Sequence, residues 1–198
     1  MTVPAIACLK ITLDEVKPTV LRRVEVPLTL TLDRLHWVIQ AAMGWTNSHL
    51  YEFRAGRAFW LEPDPDEPYV AATDPKKARL ADVLQGVGAK SLKYIYDFGD
   101  DWGHTIKVER LVAPELAVVY PRPIEVQGPC PPEDSGGPLA YAEFREALAD
   151  RRHKRHKDMA EWIGKEFDPA AVHPGILAAD VEALAKRWAK RPEARRKR

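Results

Sequence analysis

The chain has 198 residues, with 30 Lys and Arg against 29 Asp and Glu and a hydrophobic fraction of 45%, the balance of a globular core rather than of a disordered or fibrous chain. Its two cysteines, Cys8 and Cys130, exclude a disulfide framework and a paired-thiol metal site, and no apolar run approaches the roughly 20 residues that cross a bilayer. The near-neutral total hides an asymmetry: residues 151–198 hold 14 basic and 7 acidic side chains, a net +7, which leaves −6 on the first 150.

The N-terminal MTVPAIACLKITL alternates as a strand does and lacks the pattern of a secretory signal, so a cytoplasmic protein with no membrane partner is expected. Ile6, Leu9, Ile11 and Leu13 mark a strand over Ala5–Leu13, with Cys8 as core filler. Lys17-Pro18 makes a turn, and Val20–Val26 reads as an antiparallel partner ended by Pro27. Leu32, Leu35, Ile39, Ala42 and Met43 recur at helical spacing between a Thr31 cap and a Gly44 stop. His36 and Trp37 flank that stripe as packing residues. Gly56 centres a hairpin, Glu62–Pro75 is a surface loop, and Ala78–Leu84 makes one or two helical turns.

The stretch Tyr94–Glu109 reads as strand, acidic turn, strand. Tyr94 and Tyr96 lead in, Ile106 and Val108 alternate with Thr105, Lys107 and Glu109 on the way out, and Asp97-Phe98-Gly99-Asp100-Asp101-Trp102-Gly103 lies between. Three carboxylates, a Trp and His104 exceed what a hairpin tip needs. Val118–Tyr120 is a further short strand, followed by a stiff irregular segment from Pro121 to Pro138. The remainder is helical, with apolar stripes at Tyr141, Phe144 and Leu148, at Met159, Trp162 and Ile163, and at Val181, Leu184, Ala185 and Trp188; Asp168 is placed as a cap before Pro169. These elements predict one α+β domain over residues 1–190, an antiparallel-dominated, mixed sheet with helices packed against it, and a frayed basic tail at 191–198.

The candidate pocket combines His49, Asp97, Asp100, Asp101, Trp102, His104, Glu133 and Asp134. Carboxylates and imidazoles gathered on loops at one end of a sheet are the donor set of a divalent cation, the one cofactor these residue types suggest, and with a bound water they would support a metal-dependent hydrolase. No compact metal, phosphate-loop, dinucleotide or nucleophile-elbow motif is present, which favours a non-catalytic binding module over an enzyme. Trp45, Tyr51, Trp60, Tyr94, Tyr96 and Trp102 are large aromatics at strand ends and turns, the types that stack on a base or anchor a peptide; packing between sheet and helices is the preferred reading for most of them, and Trp102, at the turn, is the exception singled out as a stacking surface. The run Arg151, Arg152, Lys154, Arg155 and Lys157 is the candidate contact for a nucleic acid or an acidic protein.

The strings LRRVEVP, LHWVIQAAMGW, HLYEF, YIYDFGDDWGHTI, PCPPEDSGGP and GKEFDPAAV follow one another in an order that resembles the plasmid pRiA4b ORF-3-like family, from about Leu9 to Val172. The resemblance implies a single α+β fold and no established activity. Some members of that family are labelled transposon resolvases and some carry a separate DNA-binding domain, but a serine resolvase needs a nucleophilic Ser near its start and residues 1–30 contain none. Two departures from the family pattern stand out: Pro123 where a Cys usually follows the Tyr-Pro at Tyr120-Pro121, and a basic run at 151–157 where relatives are often acidic.

Overall fold

The computed structural model describes residues 5–63, 72–88, 90–164, 168 and 170–189. Among these residues seven strands make one sheet: β1 Ile6–Leu13, β2 Leu21–Pro27, β3 Tyr51–Ala55, β4 Ala58–Leu61, β5 Ser91–Tyr96, β6 Trp102–Val112 and β7 Arg122–Gln127, in the order β4-β3-β5-β6-β1-β2-β7. Every pairing between these strands is antiparallel. The parallel component expected of a mixed sheet is, among the described residues, the isolated bridge Trp60–Thr73. Among the described residues five α-helices complete an α+β fold: α1 Leu32–Met43, α2 Leu80–Val87, α3 Gly137–Ala149, α4 His156–Ile163 and α5 Pro174–Ala189.

Alternation along the strands sorts the two faces of the sheet. The register aligns Val24, Leu9 and Val108, then Arg22, Ile11 and Ile106, then Leu13, His104, Tyr94 and Phe53. Apart from the half-buried Val108, all of these are buried. The opposite face carries Lys10, Arg23, Lys93, Thr105, Lys107 and Glu109, and it is laced by Arg23 to Glu109 and Glu125 and by Lys93 and Thr105 to Asp14. Leu32, Leu35, Val38, Ile39, Ala42 and Met43 of α1 complete the core, and Gly44 ends that helix at φ +85, donating its N–H to Gln40 O at 2.9 Å. His36 is buried as expected, while Trp37 is 41% exposed.

Two segments depart from the sequence reading. Val118–Tyr120 forms no strand, and the pairing segment is β7, which lies inside the stretch read as irregular. Pro123 is compatible with a strand there because β7 is the sheet edge, where a missing N–H breaks no further ladder. Asp168 accepts the Ala170 N–H at 2.8 Å and closes a turn, but the helix begins at Pro174. Pro169, most of the loop read at Glu62–Pro75 and the tail at 191–198 lie outside the described residues.

Candidate functional site

Three segments meet at the end of β3 and β5. The first, Gly44–Leu50, is fixed by α1. His36 Nε2 lies 2.6 Å from Asn47 Oδ1, and since that oxygen can only accept, Nε2 carries the proton. His36 Nδ1 therefore accepts from the Tyr94 hydroxyl at 2.8 Å, which in turn receives Gln40 Nε2 at 3.1 Å. Gln40 Oε1 takes the Asn47 N–H at 2.9 Å, and the His36 ring stacks on Tyr51 with centroids 3.7 Å apart. This network pins the loop that carries His49.

The second segment is the tip of the β5–β6 hairpin. Asp97 donates its N–H to Leu50 O at 2.9 Å, and its side chain is 10% exposed. Its Oδ1 accepts the N–H groups of Gly99 and Asp100 at 3.0 and 3.3 Å, which closes an Asx turn and leaves Oδ2 facing His49. The third segment is the Pro-rich loop before α3. Trp45 Nε1 donates to Pro131 O at 2.9 Å, and Glu133 receives the Tyr96 hydroxyl at 3.1 Å and the Thr46 N–H at 2.8 Å. Asp100 Oδ2 accepts the Gly136 N–H at 2.8 Å. Gly137 sits at φ +79, and a Cβ on it would lie 2.4 Å from Asp100 O. A Gly137→Ala exchange is therefore expected to pull the loop off the hairpin tip. It should lower the melting midpoint by the equivalent of at least about 1–3 kcal/mol for the forbidden backbone angle alone, measured by thermal denaturation.

Where the three segments converge, His49 Nε2 lies 3.0 Å from Asp134 Oδ1, 3.5 Å from Asp97 Oδ2 and 3.9 Å from Glu133 Oε2. One donor atom each from His49, Asp97 and Asp134 falls within 4.8 Å of the other two. His49 Nε2 is enclosed yet makes no hydrogen bond of acceptable geometry. Atoms held about 2.1 Å from one divalent cation lie roughly 3.0–3.4 Å apart in tetrahedral or octahedral geometry, close to the first two of these separations. Glu133 is engaged by Tyr96 and Thr46 and acts as the clamp of the loop.

The eight residues proposed from sequence divide accordingly. His49, Asp97, Glu133 and Asp134 come together, and Asp100 joins them as the anchor of Gly136. Asp101 is exposed, donates its N–H to Asp97 O at 2.7 Å and lines a groove with Asp14 and Lys93. Trp102 and His104 are corrections. Trp102 is 1% exposed, 6.1 Å from Trp45 and 6.3 Å from Tyr141 between ring centroids, so it is a core residue and offers no stacking surface. His104 is fully buried in the same row, its Nδ1 donating to Trp102 O at 2.9 Å; burial lowers its pKa to about 4 and keeps it neutral. Both point into the core because β6 begins at Trp102 and alternation sends even-numbered residues inward. Tyr96, the residue that bonds Glu133, is absent from the pocket expected from sequence; nothing local in the sequence marks a hydroxyl that reaches across to another loop.

The basic run is solvent-facing at Arg151, Arg152, Lys154, Arg155 and Lys157. Two of its charges are partly engaged, Arg155 with Glu143 at 2.9 Å and Arg152 with Asp150 at 3.6 Å. Among the described residues no helix is long and apolar enough to cross a membrane.

The family model described as plasmid pRiA4b ORF-3-like protein matches residues 5–175, which include every segment of the site. The chain belongs to that family. A relative from Sinorhizobium fredii, "Uncharacterized protein y4hQ", is 50% identical over 196 residues, 98% of this chain and 99% of the relative. The crystal structure titled "Protein of Unknown Function MM3350 from Methanosarcina mazei Go1" superposes with a TM-score of 0.79 at 31% identity, covering 88% of this chain and 98% of that one. This pRiA4b ORF-3-like chain thus shares its fold with the Methanosarcina mazei protein.

Proposed function

We propose that this chain is a non-catalytic binding module whose working element is a divalent-cation site formed by His49, Asp97 and Asp134. The observation that carries the reading is the enclosed His49 Nε2, which faces two carboxylates at ligand spacing and makes no hydrogen bond. An imidazole with two carboxylates suits Zn²⁺ or Mn²⁺ better than Ca²⁺ or Mg²⁺, which favour all-oxygen shells. A cation there would tie the hairpin tip to the Pro-rich loop, so its loading would set the shape of the surface a partner meets. A divalent-metal-dependent hydrolase is the second reading, favoured by a set of three protein donors that leaves coordination positions for water. Contact with a nucleic acid or acidic protein through the 151–157 run belongs to the same proposal and would show as affinity that falls steeply with salt. An association with mobile elements rests on the family's name alone, and placement in the cytoplasm on the two free cysteines.

The test is thermal denaturation of metal-stripped protein across a series of divalent ions. At a concentration one hundred times Kd, binding should stabilise by about 2.7 kcal/mol, a rise of roughly 5–10 °C for a chain of this size. His49→Ala and Asp134→Asn should lose the rise, whereas Glu133→Gln should lower the baseline and keep it. A flat response to every ion removes the cation site. Metal-dependent turnover of a phosphate or carboxylic ester, abolished by His49→Ala, would move the assignment to the hydrolase.

A further inference from the structure

Strand β6 outlasts its neighbour. β5 pairs with it from Tyr96 opposite Trp102 to Ser91 opposite Lys107, and the Val108 N–H donates to Lys90 O at 2.8 Å. Beyond that point β6 runs on to Val112 beside β1. A register shift marks the overhang: Leu9 faces Val108 and Cys8 faces Arg110, so Glu109 is an extra residue, a β-bulge. The bulge reverses the alternation. Leu111 falls opposite the buried Ala7, on the helix-bearing face with Val108, where unbroken parity would have turned it outward. The Val112 carbonyl accepts the Ala5 N–H at 3.2 Å and so points to β1. Successive residues of a strand present their N–H and C=O groups to opposite edges, which turns those of Leu111 to the edge that β5 has left. Among the described residues no backbone group pairs with Leu111 there.

α2 is too short to cover this overhang. It ends at Val87, capped by Gly88, and a groove of about 570 Å³ remains between helix residues 81–85 and strand residues 108–111. Leu28, Leu84 and Val108 are half-buried along it and Leu111 is 47% exposed, which makes an aliphatic strip open to solvent. The charges at its rim are unequal. Glu109 is held by Arg23 at 2.9 and 3.2 Å, whereas Arg110 comes no closer than 3.7 Å to Glu25. The exposed Lys90 makes no ion pair among the described residues. The unmatched charge beside the groove is therefore positive. A free strand edge is completed by another strand, and an added strand sends its side chains alternately to the two faces of the sheet.

We propose that this overhang is a docking site for an extended acidic segment of a partner protein. The segment adds a strand along β6, sets aliphatic side chains on Leu28, Leu84, Val108 and Leu111, and places carboxylates beside Lys90 and Arg110. The site lies at the opposite end of β6 from the hairpin tip, is independent of the cation cluster and needs no metal.

An acetylated, amidated hexapeptide of alternating Glu and Val, titrated into the full-length protein and followed by calorimetry and by the Leu111 amide resonance, tests it. Saturable binding that shifts this resonance is expected, at least about tenfold tighter than that of the matching peptide of alternating Lys and Val. The Glu and Val peptide methylated at every backbone nitrogen should not bind, because it has no donor for a strand edge. Lys90→Glu, at an exposed position, should keep the melting temperature and weaken the acidic peptide about fivefold. No saturable binding, equal affinity for the basic peptide, binding that survives methylation, an unmoved Leu111 amide or unchanged affinity in Lys90→Glu would each overturn the proposal. A dimer whose Leu111 amide shifts on dilution would overturn it in favour of a second copy of the chain.

Discussion

Replacing Trp102 by Ala is expected to destabilise the protein by about 3–5 kcal/mol, the usual cost of emptying a large aromatic site in a core. The ring is fully enclosed, with Trp45 on one side and Tyr141 of α3 on the other, and its removal would take away the surface on which α3 and the sheet meet. The matched control is Phe98, four residues earlier on the tip of the same hairpin and 48% exposed. Phe98→Ala should cost less than about 1 kcal/mol. Guanidinium denaturation of the two variants gives the comparison directly. Equal effects would mean that Trp102 is not a core residue and would reopen its reading as a recognition surface.

Acidification is expected to destabilise the protein well before its carboxylates are titrated. His36 and His104 both have pKa values lowered to about 4, chiefly by burial, against an ordinary 6.5. The sign follows from proton linkage. Between about pH 6.5 and 4 the unfolded chain binds protons at these two sites and the folded chain does not, so stability rises with pH through this window. The contribution is complete above pH 6.5 and is lost as pH falls towards 4. With 1.36 kcal/mol per unit, each histidine accounts for on the order of 3 kcal/mol across the window, a large share of the margin of an ordinary domain. Denaturation midpoints measured from pH 7.5 to 4.5 should therefore fall with an uptake approaching two protons. In His104→Gln the slope should be about halved, because the hydrogen bonds that His36 makes to Asn47 and Tyr94 remain. An unchanged slope in that variant would show that His104 is already charged in the folded state.

Much of the fold was legible because its periods are clean. The α1 stripe, the β1–β2 pair and the β5–β6 hairpin all follow from which side chains recur, and each is observed. The same alternation also held the correct placement of Trp102 and His104, which share parity with Ile106 and Val108. The surplus of Asp and Gly before them drew both into the turn, yet the turn ends at Asp101 and the strand resumes one residue later. Arg22 was legible in the same way, sharing parity with Val20, Val24 and Val26, but an arginine in a strand reads as solvent-facing unless its neighbours are counted. β7 was hidden by Pro121 and Pro123, since edge position, which makes Pro123 tolerable, is a property of the finished sheet.

The candidate site was legible only as an inventory. The sequence offers His49, Asp97, Glu133 and Asp134 as chemically apt, but their meeting depends on contacts between distant segments. Asp97 N–H to Leu50 O, Trp45 Nε1 to Pro131 O and Asp100 Oδ2 to Gly136 N–H draw the three loops together, and no local pattern announces any of them.

The most direct measurement of the cation site is anomalous diffraction from crystals equilibrated with Zn²⁺ or Mn²⁺. One peak is predicted per chain, within about 2.0–2.3 Å of His49 Nε2 and of one carboxylate oxygen each from Asp97 and Asp134, and none in His49→Ala. A peak held by other residues, or empty density between these three at saturating metal, would contradict the account.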